Sequence, residues 1–199
     1  MKIVCLGDSL TQGDYGVFGK RCIPNVHPEN YPYFLSEILN CEVVNYGKCG
    51  FTSSDFINFY NSGAVDVKGA DIIIIMLGTN GGLDPEEETQ GNIDYIELIK
   101  SCKRDEPNAK IVVCTPPHVT SNPEMSNCGY KERVDNATAF VRIIADKQKL
   151  TLIDIANYEG FSAETEGVMQ PNDGLHFGEL GYKTLATFIA EELMRKSVI

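Results

Sequence analysis

Short apolar runs alternate with amphipathic stretches along the whole 199-residue chain. The runs at 2–6, 42–46, 71–77 and 110–114 are rich in Val and Ile, the third containing four consecutive isoleucines, residues 72 to 75, and a shorter run at 150–153 completes the set. Unbroken β-branched runs are what strands covered on both faces require. Between them, residues 31–39, 53–60, 85–104, 130–147 and 178–196 place apolar side chains at helical spacing. In the third helix Ile93, Ile96 and Ile99 mark the expected buried face, behind Pro85 and three glutamates that suit a helix N-terminus. Strand–helix alternation predicts right-handed crossovers and a three-layer α/β/α sandwich around a five-stranded parallel, flavodoxin-like sheet. Without repeats, low-complexity tracts or linkers, residues 1–199 read as one domain.

In such folds ligands bind outside the carboxyl ends of the strands, so the loops there are expected to carry the site. Two of them, 11–30 and 115–129, are long and rich in Gly, Pro, Asn and Ser. Loops of that size in a compact domain tend to be lids or pocket walls.

Composition narrows the function classes. The apolar fraction of 43% and charged fraction of 23% are those of an ordinary globular protein and not of a disordered one. A net charge of −11 argues against nucleic-acid binding, which needs clustered Lys and Arg, and favours a neutral substrate. The longest apolar run, 72–77, falls far short of the roughly 20 residues of a membrane helix. Met1-Lys2-Ile3-Val4-Cys5-Leu6 passes at once into Gly7-Asp8-Ser9, which reads as a first strand and not as a signal peptide; a cytoplasmic protein is expected. The seven cysteines are odd in number and show no C-x-x-C pair, so reduced thiols are expected, with no disulfide framework or zinc site.

Chemistry enters with Gly7-Asp8-Ser9-Leu10, directly after the first run. A serine there sits at the mouth of the crevice, although a turn or helix cap explains it equally well. A serine hydroxyl becomes a nucleophile only beside a general base. Asp173-Gly174-Leu175-His176 supplies one: His176 as the base, with Asp173 three residues upstream to fix its tautomer. The alternative is that Asp173 caps a helix beginning near Gly178. Acyl transfer also needs donors for the developing oxyanion, and glycines and an asparagine follow the second and third strands, in Asn45-Tyr46-Gly47-Lys48-Cys49-Gly50 and Gly78-Thr79-Asn80.

These blocks together resemble the SGNH, or GDSL-type, hydrolase family, and the resemblance spans the whole chain. Gly7 to Gly13 is similar to the family's first block, Val43 to Thr52 to its second, Leu77-Gly78-Thr79-Asn80 to its third and Asp173 to His176 to its fifth. The resemblance implies Ser9 as nucleophile, His176 as base and then acid, and Asp173 as its orienting partner. It implies an oxyanion hole of the Ser9 and Gly50 amides and the Asn80 side chain, with Gly47 as the alternative to Gly50. The family's third block often continues with aspartate, where this chain has Gly81, leaving open what anchors Asn80. No cofactor or metal is implied.

For the substrate, Arg21, Tyr31 and Tyr33 in the first long loop, with His118, Asn122 and Asn127 in the second, are polar groups suited to a sugar cleft. They favour O-acetyl esters on carbohydrates, with Arg21, Tyr31 and His118 as candidate substrate contacts. A lysophospholipase or acyl-thioesterase is the alternative within the enzyme class, and a noncatalytic flavodoxin-like binding module the alternative outside it.

Overall fold

The computed structural model describes residues 1–17, 24–125 and 127–199. Five parallel strands, β1 (Lys2–Gly7), β2 (Glu42–Asn45), β3 (Ile72–Met76), β4 (Lys110–Cys114) and β5 (Thr151–Ile153), form one sheet in the order β2-β1-β3-β4-β5. Ile3 of β1 stands between Val43 of β2 and Ile72 of β3. The isoleucine run explains the layering, since side chains alternate across a strand. Ile73 and Ile75 enter one core with Val4, Leu6 and Val113. Ile72 and Ile74 enter the other with Ile3, Cys5 and Val112.

Helices cover both faces. The short α1 (Ser9–Gln12) follows β1, and α2 (Tyr31–Leu39) packs beside the last long helix on the Ile72 face. On the Ile73 face lie α3 (Ser53–Phe59), α4 (Gln90–Asp105) and α5 (Lys131–Gln148). The chain ends with α6 (Glu166–Met169) and α7 (Glu179–Arg195). The strand order reverses between β1 and β3, and at such a switch point the loops diverge to open a crevice.

Two expectations need correction. The third helix starts at Gln90 and not at 85, because Thr89 caps it and the Asn92 side chain folds the preceding segment back. The Asn92 Nδ2 donates to the carbonyls of Asp84 and Glu87, and its Oδ1 accepts the Asp84 N–H. The glutamates therefore precede the helix. Its buried stripe is Tyr95, Leu98, Ile99 and Cys102, while Ile93 is 45% exposed. Cys5 and Cys114 are fully buried on their strands, and burial pushes the Cys5 thiol up to about 12. Among the described residues, no helix is long and apolar enough to cross a membrane.

Candidate active site

The serine turn is built from the end of β1. Asp8 caps α1 by accepting the Leu10 N–H at 3.0 Å, which leaves Ser9 as the first helical residue. A Cβ on Gly7 would lie 2.0 Å from Thr11 Oγ1 and 2.7 Å from the Met76 carbonyl, so only glycine lets β1 turn beneath α1. Tyr31 is fully buried in the core on the Ile72 face, with its hydroxyl 3.3 Å from Thr11 Oγ1. The expectation that Tyr31 contacts substrate is thus corrected: its ring is held among apolar side chains, and it braces α1 from below.

Asp173 and His176 arrive from the opposite end of the chain. Asp173 Oδ1 accepts the N–H groups of Leu175, at 3.1 Å, and His176, at 2.8 Å. Its Oδ2 lies 2.7 Å from His176 Nδ1, and His176 Nε2 lies 2.9 Å from Ser9 Oγ. With an acceptor at Nδ1, the ring carries its proton there and turns a lone pair towards the serine; this tautomer is assigned from the partners. Burial pushes the Asp173 carboxyl up, yet the His176 ring and the two N–H donors outweigh it and hold the group below its ordinary value. Asp173 does not cap the final helix, whose N-cap is Gly178. Its own carbonyl accepts from Asn127 Nδ2 at 3.1 Å.

A second carboxylate adjoins the ring. Asp14, 1% exposed, places Oδ2 3.7 Å from His176 Nε2, while its Oδ1 accepts the N–H groups of Gly16 and Asn25, each at 2.9 Å. Cys49 Sγ is 3.6 Å from the same Oδ2, and the Tyr182 hydroxyl donates to the Asp14 carbonyl at 2.7 Å. Gly16 roofs Asp173: its φ is +68°, and a Cβ there would lie 2.6 Å from Asp173 Oδ2. Sequence reasoning missed Asp14. The available signal was a carboxylate within one short turn of the serine.

The glycines after β2 separate cleanly. The Gly47 N–H is taken by Asn45 Oδ1 at 2.8 Å, and a Cβ on Gly47 would lie 2.1 Å from the Gln12 nitrogen. Asn45 Nδ2 donates to the Thr11 carbonyl and Cys49 N–H to Gln12 Oε1, so this loop is strapped to α1. Gly50 has φ +79° with open space where a side chain would stand. After β3, Asn80 Nδ2 donates to the Phe51 carbonyl at 3.0 Å, which supplies the anchor that an aspartate at Gly81 would otherwise provide. An amide nitrogen carries two protons, so a second remains for an incoming oxyanion. Asp8 Oδ2 is buried without a hydrogen-bond partner. Burial pushes this carboxyl up to about 6, against the pull of the Leu10 N–H, the Thr79 hydroxyl and the His176 ring.

His118 is engaged elsewhere. His118 Nε2 lies 3.0 Å from Glu166 Oε2, and its residue lines a separate 170 Å³ cavity with Val119, Thr138 and Arg142. Among the described contacts its ring nitrogen is taken by Glu166, and none joins it to Ser9. Arg21 lies outside the described residues. Among the described residues no cluster of three or more His, Cys, Asp or Glu side chains is arranged to hold a metal ion.

The GDSL-like lipase/acylhydrolase family pattern matches residues 5–184. An isoamyl acetate-hydrolyzing esterase of Schizosaccharomyces pombe is 24% identical over 194 residues, 92% of this chain and 71% of that protein. Among solved structures, a Mycobacterium smegmatis aryl esterase superposes with a TM-score of 0.75 at 20% identity, covering 100% of this chain and 99% of its own. A carbohydrate acetylesterase from Sinorhizobium meliloti superposes with a TM-score of 0.76 at 20% identity, covering 98% of each chain. The chain belongs to the GDSL-like lipase/acylhydrolase family and is a carboxylic ester hydrolase.

Proposed function

We propose that the protein removes short acyl groups, acetyl above all, from hydroxyls of carbohydrates, through a Ser9–His176–Asp173 triad and an acyl-enzyme intermediate. The observation that carries this reading is the unbroken chain of contacts from Asp173 Oδ2 to His176 Nδ1, at 2.7 Å, and from His176 Nε2 to Ser9 Oγ, at 2.9 Å. Ser9 Oγ attacks the ester carbonyl while His176 Nε2 takes its proton. The amides of Ser9 and Gly50 and the side chain of Asn80 receive the oxyanion. The imidazolium that forms lies between Asp173 on one nitrogen and Asp14 near the other, and it gives its proton to the departing alcohol. Water, activated by the same ring, then releases the acid.

Acetyl as the acyl group is supported by the burial of the reacting groups, since Ser9 and His176 are each 3% exposed and admit a small group most readily. The acetyl-ester and carbohydrate-acetylesterase activities named for the similar proteins point the same way. The test compares p-nitrophenyl esters of increasing acyl length, with Ser9→Ala beside the wild type. Hydrolysis that is greatest for acetate and lost in Ser9→Ala is expected. Equal rates for the two proteins would refute the nucleophile, and a maximum at about eight carbons or more would refute the acyl group.

A further inference from the structure

Arg133 differs from the other arginines described. Arg104, Arg142 and Arg195 each hold a carboxylate, of Asp105, Asp154 and Glu192, at 2.8, 2.9 and 2.6 Å. The guanidinium carbon of Arg133 instead lies 4.2 Å from the centre of the Tyr130 ring. Among the described residues, no carboxylate comes within 4.0 Å of it. In a chain of net charge −11, with the acidic run 84–88 close behind the neighbouring glycine loop, that is an unusual position for an exposed arginine.

Its location gives the exception meaning. The Cβ and Cδ of Arg133 would lie 3.7 and 3.6 Å from a Cβ on Gly81, the residue after Asn80. Tyr130 packs on the small cluster of Val119, Val134 and Leu175, and Leu175 directly precedes His176. The aliphatic part of this exposed residue thus lies beside the loop of the candidate oxyanion donor, and its cation sits on a ring packed against the cluster that includes the residue before the base. A guanidinium held over a ring face keeps N–H groups for another acceptor, and its planar fork matches a carboxylate.

We propose that Arg133, seated on Tyr130, binds a carboxylate on the alcohol portion of the ester, so that acetyl esters of acidic alcohols, such as uronic acid residues, are preferred to neutral ones. This rests on the assignment of Ser9 and Asn80 above, and it replaces the neutral substrate suggested by net charge. The carboxylate belongs to the alcohol because an acetyl group has no place for one.

Two probes that differ in that charge test it: 4-acetoxybenzoate and its methyl ester. Arg133→Gln is expected to lower kcat/KM for 4-acetoxybenzoate about fivefold, mainly through KM, as for an exposed charge-assisted contact. The methyl ester should change by less than about twofold, and Arg133→Lys should recover part of the loss. Salt at about 0.5 M should reduce the wild-type rate on the anion and leave Arg133→Gln little changed. Equal losses on both esters, or no loss on the anion, would overturn the proposal while Ser9-dependent hydrolysis stands. Wild-type rates from Ser9→Ala on both esters would overturn the Ser9 assignment, and this proposal with it.

Discussion

Gly16 links the serine loop to Asp173, and Gly16→Ala tests how tightly the orienting carboxylate must be held. A Cβ at this position would lie 2.6 Å from Asp173 Oδ2 and 2.8 Å from its Cγ, whereas ordinary contact begins at 3.4 Å. The carboxylate or the loop must therefore yield by about 0.8 Å. Asp173 is fixed by the N–H groups of Leu175 and His176 and by His176 Nδ1. If the carboxylate moves, its 2.7 Å bond to the ring stretches towards about 3.5 Å, beyond useful hydrogen-bond range. A non-glycine residue at φ +68° adds roughly 1–2 kcal/mol of backbone strain. The expected result is a fall of about 10²-fold in kcat on p-nitrophenyl acetate with KM little changed, since misplacement by about 1 Å can cost that much. Calorimetry should register a loss of about 2 kcal/mol in stability. A double-mutant cycle separates the two effects. With Asp173→Asn already present, Gly16→Ala should cost little further activity while still lowering Tm. Wild-type kcat in folded Gly16→Ala, or a full additional loss in the double variant, would show that Gly16 does not act through Asp173.

Asp8 carries a pH signature. Its folded value of about 6 lies above the ordinary 3.8, so the folded protein holds this proton more tightly than the unfolded chain. The resulting stability is present below about pH 4 and lost as pH rises through about 6; Asp8→Asn should stabilise by up to about 3 kcal/mol at pH 8 and by almost nothing at pH 4, read from Tm at each pH. Asn80→Ala should lower kcat on the order of 10²–10³-fold with circular dichroism unchanged, as expected for an oxyanion donor. The glycines after β2 should diverge: Gly47→Ala meets the Gln12 backbone at 2.1 Å and should fail to give folded protein, whereas Gly50→Ala meets nothing within 4 Å and should fold with about 1 kcal/mol lost.

Much of the fold was legible because a parallel sheet covered on both faces demands unbroken Val and Ile runs, and residues 72–75 satisfy both cores at once. The start of α4 was not, because it depends on the side chain of Asn92 reaching Asp84 and Glu87, which helical spacing does not encode. That Ser9, His176 and Asp173 would meet was legible because each stands in a compact block at the end of a strand or in a tight turn. What sets Gly47 apart from Gly50 is the Asn45 side chain that takes its N–H and the close approach of Gln12, and neither contact is encoded in the spacing of the glycines. Tyr31 misled for a related reason: a tyrosine at the edge of a polar loop has the same sequence context whether its ring turns outwards or, as here, into the core. Asp14 meets His176 across 162 positions of chain, and no local pattern announces such a contact.

In the proposed reaction Ser9 carries the acyl group. Treating the protein with a fluorophosphonate ester, then mapping the adduct by peptide mass spectrometry, tests it most directly. One adduct is expected, on Ser9, formed in step with loss of esterase activity and suppressed in His176→Ala. An adduct on another residue that tracks the loss of activity, or full modification of Ser9 with activity intact, would contradict it.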